Sequence, residues 1–376
     1  MPKIKNIEFL RVIGCLAIIL LHLFNNARLH GMFGDIEIYD KLFKMTHNGQ
    51  KAVDLFFMLS GFFFAFKLDT TKSLLEFIKN KLIRLYPVLI WITLLYYIAS
   101  LFGVIKFTYY ENILALFCLN GTSLVIQHGN TGIFWYVSAM LWTFILFYYL
   151  LKHYDKKHVN LFIALLAFFS YSLIIHAKSG KISHNFQTFY NIFNVGMLRA
   201  FGGIGLAYFI AEWYKNNIEH IRNIALNIKQ KLCITIVEFM CVFFIINNLM
   251  LHFPNFKNHF VYILVYTVTI ILFLIKKGFI SQILEKDIWV KLSKYTYSFY
   301  LTHIVVFQVL KNTLWKPYKT WVYAHPIENV VYALILVFIL GIFTYHFVEV
   351  PCARYFSQKA KNAATKRERE SNILSH

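Results

Sequence analysis

Charged residues are scarce in this sequence: Asp, Glu, Lys and Arg together make up 15% of its 376 residues, against roughly 25% in soluble domains. Apolar residues make up 58%, and the mean hydropathy is +0.54. Acidic residues are the rarer charges, 18 against 38 Lys and Arg, so the net charge is +20. The cations lie between hydrophobic runs, which is typical of membrane topology signals and argues against a nucleic-acid-binding protein.

Cysteine is also rare, and its spacing excludes the common cysteine-based architectures. No two of the five cysteines form a CxxC pair, and four lie in or beside apolar runs. The sequence therefore predicts neither a disulfide framework nor a zinc site, and we expect no bound metal.

Long hydrophobic runs predict an all-α fold, a polytopic membrane helical bundle of about ten transmembrane helices. The ten predicted spans are 8–25, 52–66, 86–105, 133–151, 159–176, 192–213, 232–251, 259–275, 295–315 and 328–347. A further run, 112–126, is interrupted by polar residues, and we interpret it as a short non-spanning or re-entrant segment.

The distribution of Lys and Arg orients this bundle. With the N-terminus inside, the segments on the inner side carry 26 Lys and Arg and the outer loops carry 10. This bias predicts that both termini are cytoplasmic. We expect one integral membrane domain, residues 1–356, followed by a polar cytoplasmic tail, residues 357–376.

The first hydrophobic run places two polar residues on one helical face. Arg11 and His22 are eleven residues apart, so in a helix they lie within roughly 20° of the same face and about 16 Å apart along the axis. Cys15 and Ile18 complete this stripe. Polar groups at membrane depth predict a functional site; the alternatives are a snorkelling, topology-setting Arg11 and an ordinary core His22.

The second span begins near the level of His22. Asp54 lies at its outer end, where a carboxylate beside an imidazole supports the role of a base; the equally weighted alternative is a carboxylate facing water. Ser60 and Gly61 form a small pair that lets helices approach closely. Ser60 is a packing residue or a pore-lining one.

The segment before the third span is basic. Lys81 and Arg84 are helical neighbours, and with Arg11 they form a cationic cluster suited to phosphates. Alone, they are ordinary inside-positive residues. Pro87 is expected in the first turn of the following helix.

Three later residues complete the candidates. Trp135 opens the fourth span, where an aromatic belt residue at the outer interface is the plainer interpretation. His303 places a second imidazole inside the ninth span. Glu349 ends the tenth span, where it either pairs with Arg84 or Arg11 or caps the membrane edge.

These motifs, taken in order, resemble the bacterial membrane acyltransferase family three over about residues 5–356. The most specific mark is Arg11 followed by His22 in the first helix. The supporting marks are Asp54 to Gly61, Lys81 to Pro87, the Ile-Phe-Trp135 start, Tyr297 to His303, and Phe347 to Pro351. One departure is Lys81, where the family usually has Arg, because Lys keeps the charge but loses bidentate phosphate binding.

The resemblance implies an enzyme that moves an acyl group, most simply acetyl, from acyl-CoA to a hydroxyl of a cell-envelope polysaccharide such as lipopolysaccharide, or of a lipid-linked sugar. It implies a multi-pass protein of the bacterial cytoplasmic (inner) membrane, with acetyl-CoA as a substrate and no permanently bound cofactor. Arg11, Arg84 and Lys81 then hold the donor phosphates, and the pantetheine arm follows the stripe over Cys15 and Ile18. His22 acts as general base, by direct transfer or through an acyl-histidine.

A different class of protein also fits ten spans with scattered polar groups, namely a transporter or flippase of lipid-linked sugars. Against it, the sequence shows no repeat of broken helices, and the candidate residues concentrate in its first third. A glycan polymerase is a third hypothesis, which the modest outer loops disfavour.

Overall fold

The computed structural model describes residues 4–28, 37–120, 122, 132–177, 188–189, 193–251, 259–359 and 362. Within these residues the chain is almost wholly helical, and one short antiparallel pair, β1 (Thr188–Phe189) and β2 (Phe193–Asn194), precedes a long helix. The helices are α1 (Lys5–Arg28), α2 (Glu37–Thr46), α3 (Ala52–Phe66), α4 (Leu74–Leu101), α5 (Tyr109–Leu116), α6 (Trp135–His153), α7 (Lys156–Ala177), α8 (Val195–Asn223), α9 (Ile228–Leu251), α10 (Phe260–Ile275), α11 (Phe279–Ile283), α12 (Asp287–Ser293), α13 (Thr296–Leu310), α14 (Lys319–Ala324) and α15 (Pro326–Thr344).

The predicted all-α membrane bundle is confirmed. Among the described residues, eight helical stretches are long and apolar enough to cross a membrane, and α10 is a shorter apolar helix. Every predicted span corresponds to a helix, and the ninth is completed by a π-helical turn, Lys311–Trp315, after α13. The chain is therefore a multi-pass membrane protein.

The long helices fall into an inner and an outer group. The apolar windows of α1, α6, α8 and the stretch Lys41–Phe66 are 67% to 78% buried, whereas those of α4, α7, α9 and the stretch Pro326–Lys359 are 22% to 33% buried. Outer helices keep apolar side chains exposed because lipid is as apolar as the side chains themselves. The inner group holds most of the polar residues described below.

Small residues bring α3 and α8 into close contact, as the Ser60–Gly61 pair predicted. A methyl group added to Gly61 would stand 2.6 Å from the Cα of Ile204, and one added to Gly203 would stand 2.8 Å from the Cβ of Phe57. Both distances are shorter than side chains tolerate, so this pair of helices requires glycine at these positions.

The predicted start of the third span is wrong. Helix α4 begins at Leu74, twelve residues before the predicted start at 86, and Pro87 lies inside it rather than in its first turn. Ser73 is the N-cap of this true start, because its hydroxyl oxygen accepts a hydrogen bond from the backbone N–H of Glu76. The hydroxyl of Tyr297 donates to the carbonyl of Leu85 at 2.9 Å, which ties α13 to α4 next to the proline.

The interpretation of 112–126 as non-spanning agrees with the described part of that segment. Helix α5 has eight residues, about 12 Å of helix, which is less than half a bilayer core. Tyr109, Tyr110 and Phe117 expose most of their surface. Residue 121 and residues 123–131 lie outside the described residues, as does nearly all of the predicted tail after residue 359.

Helices α1 and α13 run parallel, side by side. The Cys15 thiol lies 3.5 Å from the carbonyl oxygen of Thr296, and the rings of His22 and His303 are 5.2 Å apart. Cys15 and His22 are seven residues apart on α1, and Thr296 and His303 are seven residues apart on α13. The two helices therefore run in the same direction over two turns. This direction is the one expected for the first and ninth spans of the predicted topology.

Candidate functional site

Two histidines from different helices meet inside the bundle. His22, half-buried on α1, faces His303 of α13 with 5.2 Å between ring centroids and a 40° angle between the rings. His303 is fully buried, and its Nδ1 lies 3.3 Å from the carbonyl oxygen of Phe299. The structure thus brings together two of the histidines that the sequence identified in separate spans.

Asp54 has a different partner from the predicted one. Its two carboxylate oxygens accept hydrogen bonds from Nε and Nη2 of Arg199, at 3.0 and 2.7 Å. Both residues are buried, at 2% and 0% exposure. The carboxylate is therefore held by a bidentate ion pair, and the alternative of a carboxylate facing water is wrong. Its role in orienting His22 stays a prediction.

Trp135 covers this ion pair. Its ring lies 5.5 Å from the guanidinium of Arg199 and packs against Gly196, and only 4% of the residue is exposed. The belt interpretation of Trp135 is wrong, because the ring supports a buried cation instead of facing lipid headgroups.

Arg199 is the residue of this group that sequence reasoning missed. Arg199 lies within the predicted span 192–213, and the sequence pattern assigned it no role. The available signal was its position, since an arginine at membrane depth needs a partner and the candidates are the few acidic residues in other spans.

The predicted cationic cluster forms at the other end of α1. Arg11 donates to Glu8 at 3.0 Å and lies over the ring of Phe63, 5.2 Å from its centroid. Arg84 is exposed, and its charge acts on both Arg11 and Lys81. Three cations on two helices at one end of the bundle form a site that favours an anion.

Lys81 differs from the other two cations in its surroundings. Its Nζ lies 4.7 Å from the ring centroid of Phe144, 5.2 Å from that of Phe77 and 5.8 Å from that of Phe64. Cation–π contacts hold a lysine in this way without an acidic partner. Arg84 is accordingly more available than Lys81 to an incoming ligand.

The loop before α4 is fixed by α6. The hydroxyl of Tyr148 donates to the carbonyls of Asp69 and Lys72, and Lys152 donates to the carbonyl of Thr70. Hydrogen bonds from Thr71 also lower the pKa of the exposed Asp69 carboxyl. These contacts fix the position of the start of α4, and therefore the position of the basic residues on that helix.

Ser60 and Glu349 both take part in hydrogen bonds between helices. The hydroxyls of Ser60 and Tyr136 are 3.0 Å apart, and Tyr136 also donates to the carbonyl of Phe56. Glu349 accepts a hydrogen bond from Ser298 at 2.7 Å, while the charge of Arg84 acts on it from further away. Of the alternatives for Glu349, the direct ion pair with Arg84 or Arg11 is replaced by this hydrogen bond with Ser298.

Two tyrosines that the sequence did not single out connect the two ends. Tyr136 interacts electrostatically with Arg11. The ring centroid of Tyr136 lies 5.7 Å from that of Tyr300, which in turn lies 5.8 Å from that of His303. Cys15 and Ile18 are buried, as is Tyr300, and Cys15 packs on α13. A series of ring contacts through the two tyrosines therefore leads from the cations to the histidines, and the predicted path over Cys15 and Ile18 stays a prediction.

Comparison with protein families identifies the architecture. The family model described as an acyltransferase domain, that of acyltransferase family 3, matches residues 4–346. The chain belongs to acyltransferase family 3. Neither the curated proteins nor the solved structures gave a match. The match spans every element that contributes a residue to the two ends of the site except the last turn around Glu349.

Membership of acyltransferase family 3 makes the protein a membrane acyltransferase. The transporter or flippase hypothesis receives no support from it. The family match names neither the acyl donor nor the acceptor, and it assigns no residue a role.

Proposed function

We propose that this membrane acyltransferase moves an acetyl group from acetyl-CoA to a hydroxyl group of a cell-envelope polysaccharide or lipid-linked sugar, in the cytoplasmic membrane of a bacterium. The observation that carries the proposal is the separation of two chemically distinct ends on α1, a cationic one at Arg11 and an imidazole one at His22. An acyl-CoA has the same division, with phosphates at one end and a thioester at the other.

The donor is bound at the cationic end, which lies on the cytoplasmic side. Arg11 and Arg84 bind the phosphates of CoA, and Lys81 adds charge from its aromatic surroundings. The pantetheine arm runs beside Tyr136 and Tyr300 toward the histidines. That path spans about 16 Å of helix, the rise between Arg11 and His22.

The transfer takes place at the imidazole end. His22 removes the proton of the acceptor hydroxyl while the hydroxyl oxygen attacks the thioester carbonyl. The new ester C–O bond forms, the C–S bond breaks, and His22 returns the proton to the departing thiolate. This direct route uses one base for both proton transfers and leaves no acyl group on the enzyme.

The test replaces His22 by alanine. Membranes containing the wild-type protein are given labelled acetyl-CoA, and label in ester linkage to envelope glycans is measured. We expect His22→Ala to lower transfer by about 10²–10⁴-fold, the usual contribution of a general base, while the amount of protein in the membrane is unchanged. The exposed His158 at the start of α7 provides the matched control, since His158→Ala should transfer at the wild-type rate. Full transfer by His22→Ala would contradict the mechanism.

A further inference from the structure

Lys51 is a buried lysine whose ammonium group forms no hydrogen bond. It ends a short 3₁₀-helix, His47–Lys51, which leads into α3, and only 3% of the residue is exposed. In the part of the chain that the structure describes, its Nζ has no hydrogen-bond partner. A lysine has three N–H donors, and buried donors almost always have an acceptor. The missing acceptor therefore needs a physical explanation.

Asn48 places a second unused donor on the same side of this 3₁₀-helix. It is also 3% exposed, and its Nδ2 has no partner among the described residues. A 3₁₀-helix has three residues per turn, so the side chains at positions i and i+3 lie one above the other. Asn48 and Lys51 have this spacing. Two unused donors thus lie together, and both would be satisfied by one shared acceptor.

The buried charges near Lys51 do not balance. The charge of Asp54, three residues further along, acts on Lys51. Both carboxylate oxygens of Asp54, however, accept hydrogen bonds from Arg199. The group formed by these three residues therefore holds two cations and one anion. A buried charge without a counter-charge is costly, so a further negative charge is expected beside Lys51.

Helix α10 contacts Lys51 without supplying that negative charge. Nζ of Lys51 lies 3.9 Å from the ring centroid of Tyr262, which is a cation–π contact. The ring attracts the ammonium group but carries no net charge. The hydroxyl of Tyr266 donates to the backbone carbonyl of Lys51 at 3.4 Å, so it offers Nζ no counter-charge either. Both tyrosines hold the lysine in place and leave the excess charge as it is.

The packing around the 3₁₀-helix favours a small ligand. Gly49, which lies between the two donors in the sequence, packs directly on α1. A methyl group added to Gly49 would clash with the carbonyl oxygen of Ala17 and would stand 3.0 Å from the Cβ of Leu21. Asn48 and Lys51 are themselves almost completely enclosed. A monatomic anion needs the least room, accepts several N–H groups at once and requires no donor of its own.

We propose that Lys51 and Asn48 form a binding site for a small inorganic anion, namely chloride. The anion accepts hydrogen bonds from Nζ of Lys51 and Nδ2 of Asn48. With it, the buried group of Lys51, Asp54 and Arg199 carries no net charge. Chloride thereby stabilises the start of α3 against α10, and this role is independent of the acyl donor and acceptor proposed above.

Thermal unfolding of the full-length protein in detergent tests the site. Sodium chloride replaces sodium gluconate in steps, so that the ionic strength stays constant. We expect the Tm of the wild-type protein to rise with chloride and reach a plateau at least about 2 °C higher, as for a ligand that binds only the folded state. Sodium bromide should act like sodium chloride, because bromide is also a monatomic anion.

Three variants locate the effect. Lys51→Met keeps a long apolar side chain on the ring of Tyr262 and removes the charge. It should lose the chloride-dependent rise, and in gluconate it should unfold no earlier than wild type, because no uncompensated charge remains buried. Asn48→Ala should raise the half-maximal chloride concentration about tenfold, as loss of a hydrogen bond to a charged group does. Lys294→Met is the matched control, since Nζ of Lys294 also lies over a tyrosine ring, 4.6 Å from the centroid of Tyr295. It should keep the full rise.

Two results would overturn the inference outright. An equal rise in Lys51→Met would show that chloride acts elsewhere on the protein. A wild-type Tm that does not change with chloride would mean that no anion binds and that Lys51 is neutral or hydrated. If Lys51→Met does not fold, Asn48→Ala decides the question, because an unchanged half-maximal chloride concentration in that variant contradicts the site.

Discussion

Asp54 and Arg199 form the most deeply buried ion pair among the described residues, with side-chain exposures of 3% and 0%. Burial of such a pair gives little net stability, because desolvation cancels most of the attraction. Removal of one partner is different, since it leaves the other charge buried and uncompensated. The pair therefore constrains how α3 and α8 pack, and this role is separable from catalysis.

We predict that Asp54→Asn destabilises the protein by about 3–5 kcal/mol, since the Arg199 charge stays buried without its counter-charge. Asp54→Asn/Arg199→Gln should regain most of that loss and also regain acyl transfer. Thermal unfolding in detergent and the transfer assay measure the two effects. Lys156→Gln, which breaks the more exposed pair with Glu212, should cost less than about 1 kcal/mol. A stable but inactive double variant would instead make Asp54 a catalytic residue.

The sequence identified Asp54 but not its partner, and the reason is distance along the chain. The pair joins residues 145 positions apart, and no local pattern encodes such a contact. The neighbours of Trp135 and His303 are set in the same way, by which helices pack together. Arg11 and His22 were predictable because one helix alone fixes their spacing.

Helix α4 shows what the sequence does encode at the scale of an element. Hydropathy predicts its apolar half, whereas its basic half lies before the predicted start of the span, because Pro87 is expected in the first turn of that helix. The Ser-x-x-Glu pattern at Ser73–Glu76 is the better signal, and in the structure Ser73 accepts a hydrogen bond from the backbone N–H of Glu76. With the correct start, Lys81 and Arg84 belong to the same continuous helix as the apolar span, and the loop before that helix is anchored by α6.

This geometry predicts that the faces of α4 differ in function. Arg84 lies on the face shared with Arg11, whereas Lys79 is exposed about 140° away around the helix. We expect Arg84→Ala to raise the KM for acetyl-CoA about tenfold or more, because hydrogen bonds to charged groups contribute about 1.5–3 kcal/mol. Lys79→Ala removes the same charge from the same helix and should leave the KM unchanged. Equal effects of the two variants would point to general electrostatic attraction instead of a phosphate site.

At the scale of the whole molecule, the contacts assign loops to one end of the bundle or the other. Lys152, at the end of α6, binds the loop that follows α3, beside the Arg11 cluster. The start of α7, with the exposed Lys157, therefore lies at the Arg11 end. Because α1 and α13 are parallel, the segment after α13, with the exposed Lys319, lies at the His22 end.

The proposed direction of transfer requires the Arg11 end to face the cytoplasm, and single cysteines test it. In a background with Cys233→Ser and Cys352→Ser, which removes the exposed and half-buried thiols, Lys319→Cys should react with a membrane-impermeant maleimide in intact spheroplasts. Lys157→Cys should react only after the membrane is disrupted. Both sites are exposed lysines in the first turn of a helix, so they differ mainly in the side of the membrane on which they lie. The reverse pattern would place the cationic end outside, away from cytoplasmic acetyl-CoA, and would exclude that donor while leaving the helical packing intact.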